Sequence, residues 1–473
     1  MYIKPTLSDC FEAIGLYKNV PVSGTHFQFF RYFVVLFFSV ILQCHTETKA
    51  QQWDFKGGGS RVVIPIDITN HIIMLPVQLN GEQLTFILDT GVKETMLFGA
   101  VDSTILRNVS SYSFQGLGVD QGIEGLLSLD NALAIGDSML IDHHHDLYVI
   151  TDSTINLSKN IGVPIHGVLG SSFFQNHIVR IDYIRKKLHV FKSLDDVDKD
   201  LMKYTTVKLD LVKDRPFVDV TISSGGRQFE KSRMLIDLGN SDPLMVFSST
   251  LQDYKISKPY VYEFLGQGFN GNIYGKRNRI EGVTVAKWNF QRLFVSYPDT
   301  NSYSARRLVE RRVGSVGNQI MARFDVIFDY ADSVMYLRKN KMFGDPFNID
   351  MSGLEVRHTG FSWLKSRTGA KSLGATSNEG TTINLGDDVM YQIELVPAYV
   401  IQHVRIGSPA YLAGVKEGDS IYKINGKYAG KMTLESIKGR LQARDQYGIS
   451  LEVKRGEEIF KFRFKLVDPI PLN

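Results

Sequence analysis

Phe86-Ile87-Leu88-Asp89-Thr90-Gly91 decides the fold. Three apolar residues of strand character deliver an aspartate, a threonine and a glycine to a turn, and nearly the same phrase returns as Met234-Leu235-Ile236-Asp237-Leu238-Gly239. A single Asp-Thr-Gly means little, because an aspartate in a turn is ordinary. The surroundings repeat as well. Leu117-Gly118-Val119-Asp120-Gln121-Gly122-Ile123 follows the first aspartate, and Leu265-Gly266-Gln267-Gly268-Phe269-Asn270-Gly271-Asn272-Ile273 follows the second. Gly167-Val168-Leu169-Gly170 then leads to Ile181-Asp182-Tyr183, and Gly314-Ser315-Val316-Gly317 leads to Phe328-Asp329-Tyr330. The interval from motif aspartate to Asp-Tyr aspartate is 182 − 89 = 93 positions in one copy and 329 − 237 = 92 in the other. A fixed period of this kind marks an internal duplication, and it predicts two similar lobes that each supply one carboxylate to a shared site.

A duplicated unit of strand, Asp-(Thr)-Gly, glycine-rich hairpin, apolar-Gly and Asp-Tyr resembles the pepsin and retropepsin superfamily of aspartic proteases. Together with a C-terminal Gly407-Ser408-Pro409-Ala410, Gly418-Asp419 and Ile424-Asn425-Gly426, it is similar to the bacterial aspartyl proteases that end in a PDZ domain. The resemblance covers the lobes, about residues 60 to 345, and the last 80 or so. It implies a mainly β, two-lobed pepsin/retropepsin-like fold followed by a small α+β PDZ-like domain. It also implies Asp89 and Asp237 as catalytic groups and Thr90, Gly91, Leu238 and Gly239 as their support. Leu238 stands where the family has threonine, so half of a hydroxyl brace is missing.

Two carboxylates forced together hold one proton between them over a wide pH range, which suits one to take a proton from water while the other gives one to a carbonyl oxygen. The expected chemistry is peptide-bond hydrolysis with no covalent intermediate, no metal and no cofactor. The alternative is a catalytically inactive peptide-binding protein on the same fold, favoured by Leu238. The hairpin glycines Gly118, Gly122, Gly266, Gly268 and Gly271 are candidates for a mobile flap, with a plain structural turn as the other reading. Gly266 to Gly271 also spells the dinucleotide fingerprint, but that motif needs a following helix, and strand-like residues follow. Asp142-His143-His144-His145-Asp146 is expected as a solvated turn, since adjacent strand histidines face opposite ways and cannot all chelate a metal. Arg306-Arg307 and Arg311-Arg312, flanking Glu310, are expected as an exposed charged segment.

In chain order, Tyr32 to Leu42 is an apolar run too short to span a bilayer and of signal-peptide length. Residues 1–50 are therefore expected as a presequence, with export to the periplasm or exterior of a Gram-negative bacterium and no stable membrane span after processing. Both cysteines, Cys10 and Cys44, lie inside it, so the exported part must fold without disulfides. Residues 51–200 and 201–347 are expected as the two lobes, 348–388 as a linker or insertion, and 389–473 as the PDZ-like domain. Ile72 to Leu79, Asn80-Gly81 and Leu84 to Leu88 carry a strong hairpin signal. The PDZ-like part is expected to bind a peptide terminus or extended segment at Leu395, Val396, Pro397, Ala398, Tyr399 and Val400, with Thr433 to Leu441 as the other wall. A net charge of +4 over 473 residues lacks the concentrated basic face that nucleic acid would require.

Overall fold

The hairpin predicted around Asn80-Gly81 is present, as β1 (Ile72–Leu79) and β2 (Glu82–Leu88). The computed structural model describes residues 52–98, 103–114, 123–152, 157–197, 200–268, 271–303, 308–367 and 391–471; residues 1–50, with the expected presequence, lie outside them. In β2, Leu84, Phe86 and Leu88 point into the main core while Ile87 joins a smaller cluster with Ile72 and Val168. Burial on both faces is what three consecutive apolar residues require of a strand. The strand ends in the core, and the next residue is Asp89.

The elements that follow are β3 (Thr95–Phe98), α1 (Leu157–Ile161), β4 (Gly167–Leu169) and β5 (Ile178–Asp182). β4 lies between β2 and β3, parallel to the first and antiparallel to the second. The second half repeats this connection. β6 (Arg215–Ser224) and β7 (Arg227–Asp237) form its hairpin, followed by β8 (Leu244–Val246), the long hairpin β9 (Tyr260–Gly268) and β10 (Gly271–Arg279), β11 (Arg312–Gly317) and β12 (Phe324–Asp329). β11 is parallel to β7 and antiparallel to β8. The sequence duplication is thus also a duplication of strand order.

The halves meet in a six-stranded sheet at whose centre β5 pairs antiparallel with β12, Ile178 opposite Asp329 and Asp182 opposite Asp325. Across that junction Arg180 donates to both carboxylate oxygens of Asp325 at 2.8 and 2.9 Å, and Tyr204 Oη donates to the same carboxylate. Arg180 is only 2% exposed. A buried charge is tolerated when it is paired and hydrogen-bonded in this way, and removing one partner costs far more than the pair contributes.

The C-terminal module contains β13 (Leu354–Arg367), β14 (Tyr391–Val404) and α2 (Leu434–Leu441), with its own core of Leu354, Val356, Ile401, Ile437 and Leu451 among others. Its sheet runs β13, β14, Ser420–Ile424, Gly448–Arg455, Glu458–Lys465. The segment expected as a linker, 348–388, is in part the strand β13. The strand escapes a period-two reading because its pairing with β14 slips twice, between Glu355 and Val356 and between His358 and Phe361, and each slip shifts the side-chain alternation. Residues 368–390 lie outside the described part. The module is tied to the second half by Arg405 Nη1 to Glu263 Oε2 at 2.8 Å, by Arg279 to Asp468 at 3.2 Å, and by Ile470, which returns to the main core. Among the described residues, no helix is long and apolar enough to cross a membrane.

Candidate active site

β2 and β7 carry Asp89 and Asp237 to the floor of one cleft of about 840 Å³. Asp89 is fixed at its backbone by an N–H donated to Leu169 O on β4 at 3.0 Å. Its Oδ1 accepts from Gly91 N at 2.6 Å and from Gly239 N, on the opposite loop, at 3.2 Å. A β-carbon on Gly91 would come within 2.9 Å of Asp237 Oδ1 and 3.0 Å of Asp89 Oδ1, and one on Gly239 would collide with the Asp89 carboxyl. The glycine after each aspartate is therefore a steric requirement of two carboxylates placed face to face.

Thr90 is fully buried and its hydroxyl works across the two loops. It donates to Ile236 O at 2.7 Å and accepts from Leu238 N at 3.1 Å. Leu238 is also fully buried, in the main core. The brace is one-sided, with both of its bonds made by Thr90.

The electrostatics of the pair are unequal. Burial, and after it the charge of Asp237, pushes the Asp89 carboxyl up to about 7, against the pull of the Gly91 and Gly239 amides. Burial raises Asp237 as well, but there the Arg312 guanidinium, the Ser315 hydroxyl and nearby amides pull the other way. Arg312 is 5% exposed; its Nη2 donates to Ser315 Oγ at 2.9 Å and its Nε to Gly314 O at 3.2 Å. Burial brings Arg312 itself down to about 10, with Asp237 opposing the fall. The expectation of an exposed arginine segment is corrected here: Arg311 is exposed, but Arg312 lies behind the second aspartate, and Arg306 and Arg307 lie outside the described residues. β11 is buried on both faces along its whole length, with a register slip between Arg312 and Gly314, so Arg312 has no solvent side to turn to. A sequence signal existed. With 314 − 167 = 147 as the local offset, Arg312 falls opposite Ile165 and Ser315 opposite Val168, so the second copy has polar groups where the first has apolar ones.

The hairpin β9–β10 borders the cleft through Phe264, Gly266, Gln267 and Gly268, with Gly268 paired to Gly271 at its tip. Gly118 and Gly122 lie outside the described residues. His71 enters the cleft from the first half and meets Gln319 of the second, Nε2 to Nε2 at 3.0 Å. Burial, then Arg323, brings it down to about 4, so it stays neutral at ordinary pH.

Two further expectations need correction. Asp142 to Asp146 is part of the strand Leu140–Ile150. Asp142 Oδ2 meets His145 Nδ1 at 2.9 Å and His145 Nε2 meets Thr95 Oγ1 at 2.8 Å, with all three side chains about 1% exposed. The order Asp-His-Thr imitates a nucleophile relay, but burial denies it a substrate, and it serves as an internal brace. No group of metal-ligating side chains occurs among the described residues. In the C-terminal module, Leu395, Val396, Pro397, Ala398, Tyr399 and Val400 belong to β14, an interior strand: Val400 pairs with Arg357 on one side and Ser420 on the other. Among the described residues, β13 is one of the two edge strands of this sheet, the other being Glu458–Lys465, and α2 packs beside β13.

Residues 400–455 match the PDZ domain family. The chain therefore carries a PDZ domain, a module class that binds peptides by strand addition. No curated protein matches the chain.

Proposed function

We propose that the chain is an exported aspartic endopeptidase, with Asp89 and Asp237 as its dyad and the PDZ domain as a peptide-binding accessory. The observation that carries the reading is the Gly239 amide of one half donating to the Asp89 carboxylate of the other, beneath one cleft bordered by a glycine-rich hairpin. The repeated strand order and the antiparallel β5–β12 junction support a two-lobed, pepsin/retropepsin-like architecture. Export rests on the apolar run Tyr32 to Leu42.

With Arg312 beside Asp237, the shared proton belongs on Asp89. The Asp237 carboxylate takes a proton from water as the water oxygen bonds to the scissile carbonyl carbon, and Asp89 gives its proton to the carbonyl oxygen. Collapse of the tetrahedral gem-diol breaks the C–N bond: Asp237 gives its proton to the amine nitrogen, and the Asp89 carboxylate takes back the proton of one hydroxyl, which restores the singly protonated pair. No covalent enzyme intermediate forms.

Turnover of a mixed-peptide library across about pH 3 to 8, the range in which a coupled carboxylate pair changes state, tests this reading. Wild type should cut, and Asp89→Asn and Asp237→Asn should not. Library binding without cleavage by wild type would favour the second reading, a non-catalytic peptide-binding protein, to which Leu238 points.

A further inference from the structure

The cleft does not end at the dyad. The same cavity continues between the second half and the PDZ domain, where it is lined by Leu354 and Val356 of β13 and by Lys438 and Gly439 of α2. This is the unpaired sheet edge beside a helix at which a PDZ fold adds a peptide strand. Part of that groove is filled from within. α1 of the first half packs against β13, Asn160 O accepts from Lys438 Nζ at 3.1 Å, and Gly162 passes over Leu434 so closely that a β-carbon there would lie 2.8 Å from Leu434 Cβ. The helix-start end of the groove is thereby occupied, and the end next to the loop before β13 stays open to the cavity.

That loop is where a terminal carboxylate would be captured by backbone amides. Here the amides are already engaged. Asp350 Oδ1 accepts from Gly353 N at 2.7 Å and Leu354 N at 3.2 Å, while Oδ2 accepts from Ser352 N at 3.2 Å. Met351 N donates to Leu441 O, locking the loop to the end of α2. A second carboxylate placed there would find its donors taken and a like charge beside it.

We propose that the open β13–α2 groove and the dyad cleft are one channel that holds an extended polypeptide by an interior segment, with C-terminal carboxylates excluded by Asp350. The inference deepens the peptidase reading and rests on it for the outcome of binding, but not for binding itself. A substrate in this channel is an unfolded or extended protein segment long enough to lie in both parts.

Fluorescence anisotropy tests it, with the chain carrying Asp89→Asn and fluorescein-labelled random dodecapeptides made in pairs, free acid and C-terminal amide. The members of each pair should bind within about twofold of each other. Gly439→Trp, at a position whose β-carbon direction is open space, should weaken binding at least tenfold, while Gly439→Ala retains it. Asp350→Ala should create a preference for the free acids. The proposal is overturned if the free acids bind tenfold tighter than the amides to the Asp350-containing chain, if Gly439→Trp leaves affinity unchanged, or if no dodecapeptide binds. Failure of wild type to cleave the same peptides while these affinities hold would count against catalysis and leave the channel standing.

Discussion

The loops Asp89-Thr90-Gly91 and Asp237-Leu238-Gly239 occupy matching places in two halves of one design, yet they divide the labour between them. The first supplies the mechanical brace, because the Thr90 hydroxyl makes both bonds across to the other loop. The second supplies the charge asymmetry, because Arg312 and Ser315 stand behind Asp237 where the first half has Ile165 and Val168. A matched pair of environments would leave the shared proton undecided. On the proposed reading, the mismatch favours the proton on Asp89.

The largest break in the comparison comes from removing a carboxylate. Asp89→Asn or Asp237→Asn should lower kcat by about 10³-fold or more, in the range of lost general acid–base catalysis. The double variant should be no worse than either single one, because groups that act as a unit are not additive; steady-state rates on one peptide substrate decide this.

Thr90→Val comes next. It keeps the volume but leaves Ile236 O and Leu238 N buried without partners, at roughly 1 to 3 kcal/mol each. Misplacement of the opposite loop should cost about a hundredfold in kcat. Denaturant unfolding and kinetics on the same preparation separate the two effects.

Arg312→Met removes the group that pulls Asp237 down. The Asp237 carboxyl should rise further, so the acid limb of the kcat/KM profile should move to higher pH with the basic limb less affected. A profile that does not move would show that Arg312 is only a packing residue. Leu238→Thr should have a smaller effect, a gain or loss within about tenfold, since Thr90 already makes the brace and the new hydroxyl would add one bond worth about 1 kcal/mol.

The smallest effect is on stability. A carboxyl raised in the folded state to about 7 binds its proton more tightly folded than unfolded, so its contribution is full below the unfolded value near 4 and is lost as pH rises through about 7. Unfolding free energy should therefore fall with rising pH across that window, and Asp89→Asn should flatten the slope in urea titrations.

The duplication was legible in the sequence because the positions that repeat are the ones that geometry constrains: the aspartates, and the glycines whose side chains would strike them. The β1–β2 hairpin was legible because Asn80-Gly81 supplies a turn between apolar runs. β13 was not, because its two register slips destroy the alternation that a strand is read by. The PDZ edge, expected at Leu395 to Val400, lies one strand away on β13 for the same reason. Arg312 and His145 are expected at the solvent because charge clusters usually are, and only tertiary partners, Phe247 and Asp237 for the first and Thr95 for the second, reveal that these side chains turn inward.

The sharing of one proton is most directly observed in the carboxyl carbon resonances of Asp89 and Asp237, from protein labelled with ¹³C-aspartate and assigned by their loss in the Asn variants. Followed across about pH 3 to 8, Asp89 should stay protonated to about 7, with Asp237 the first of the two to lose its proton. Two independent titrations near the ordinary aspartate value would contradict the dyad.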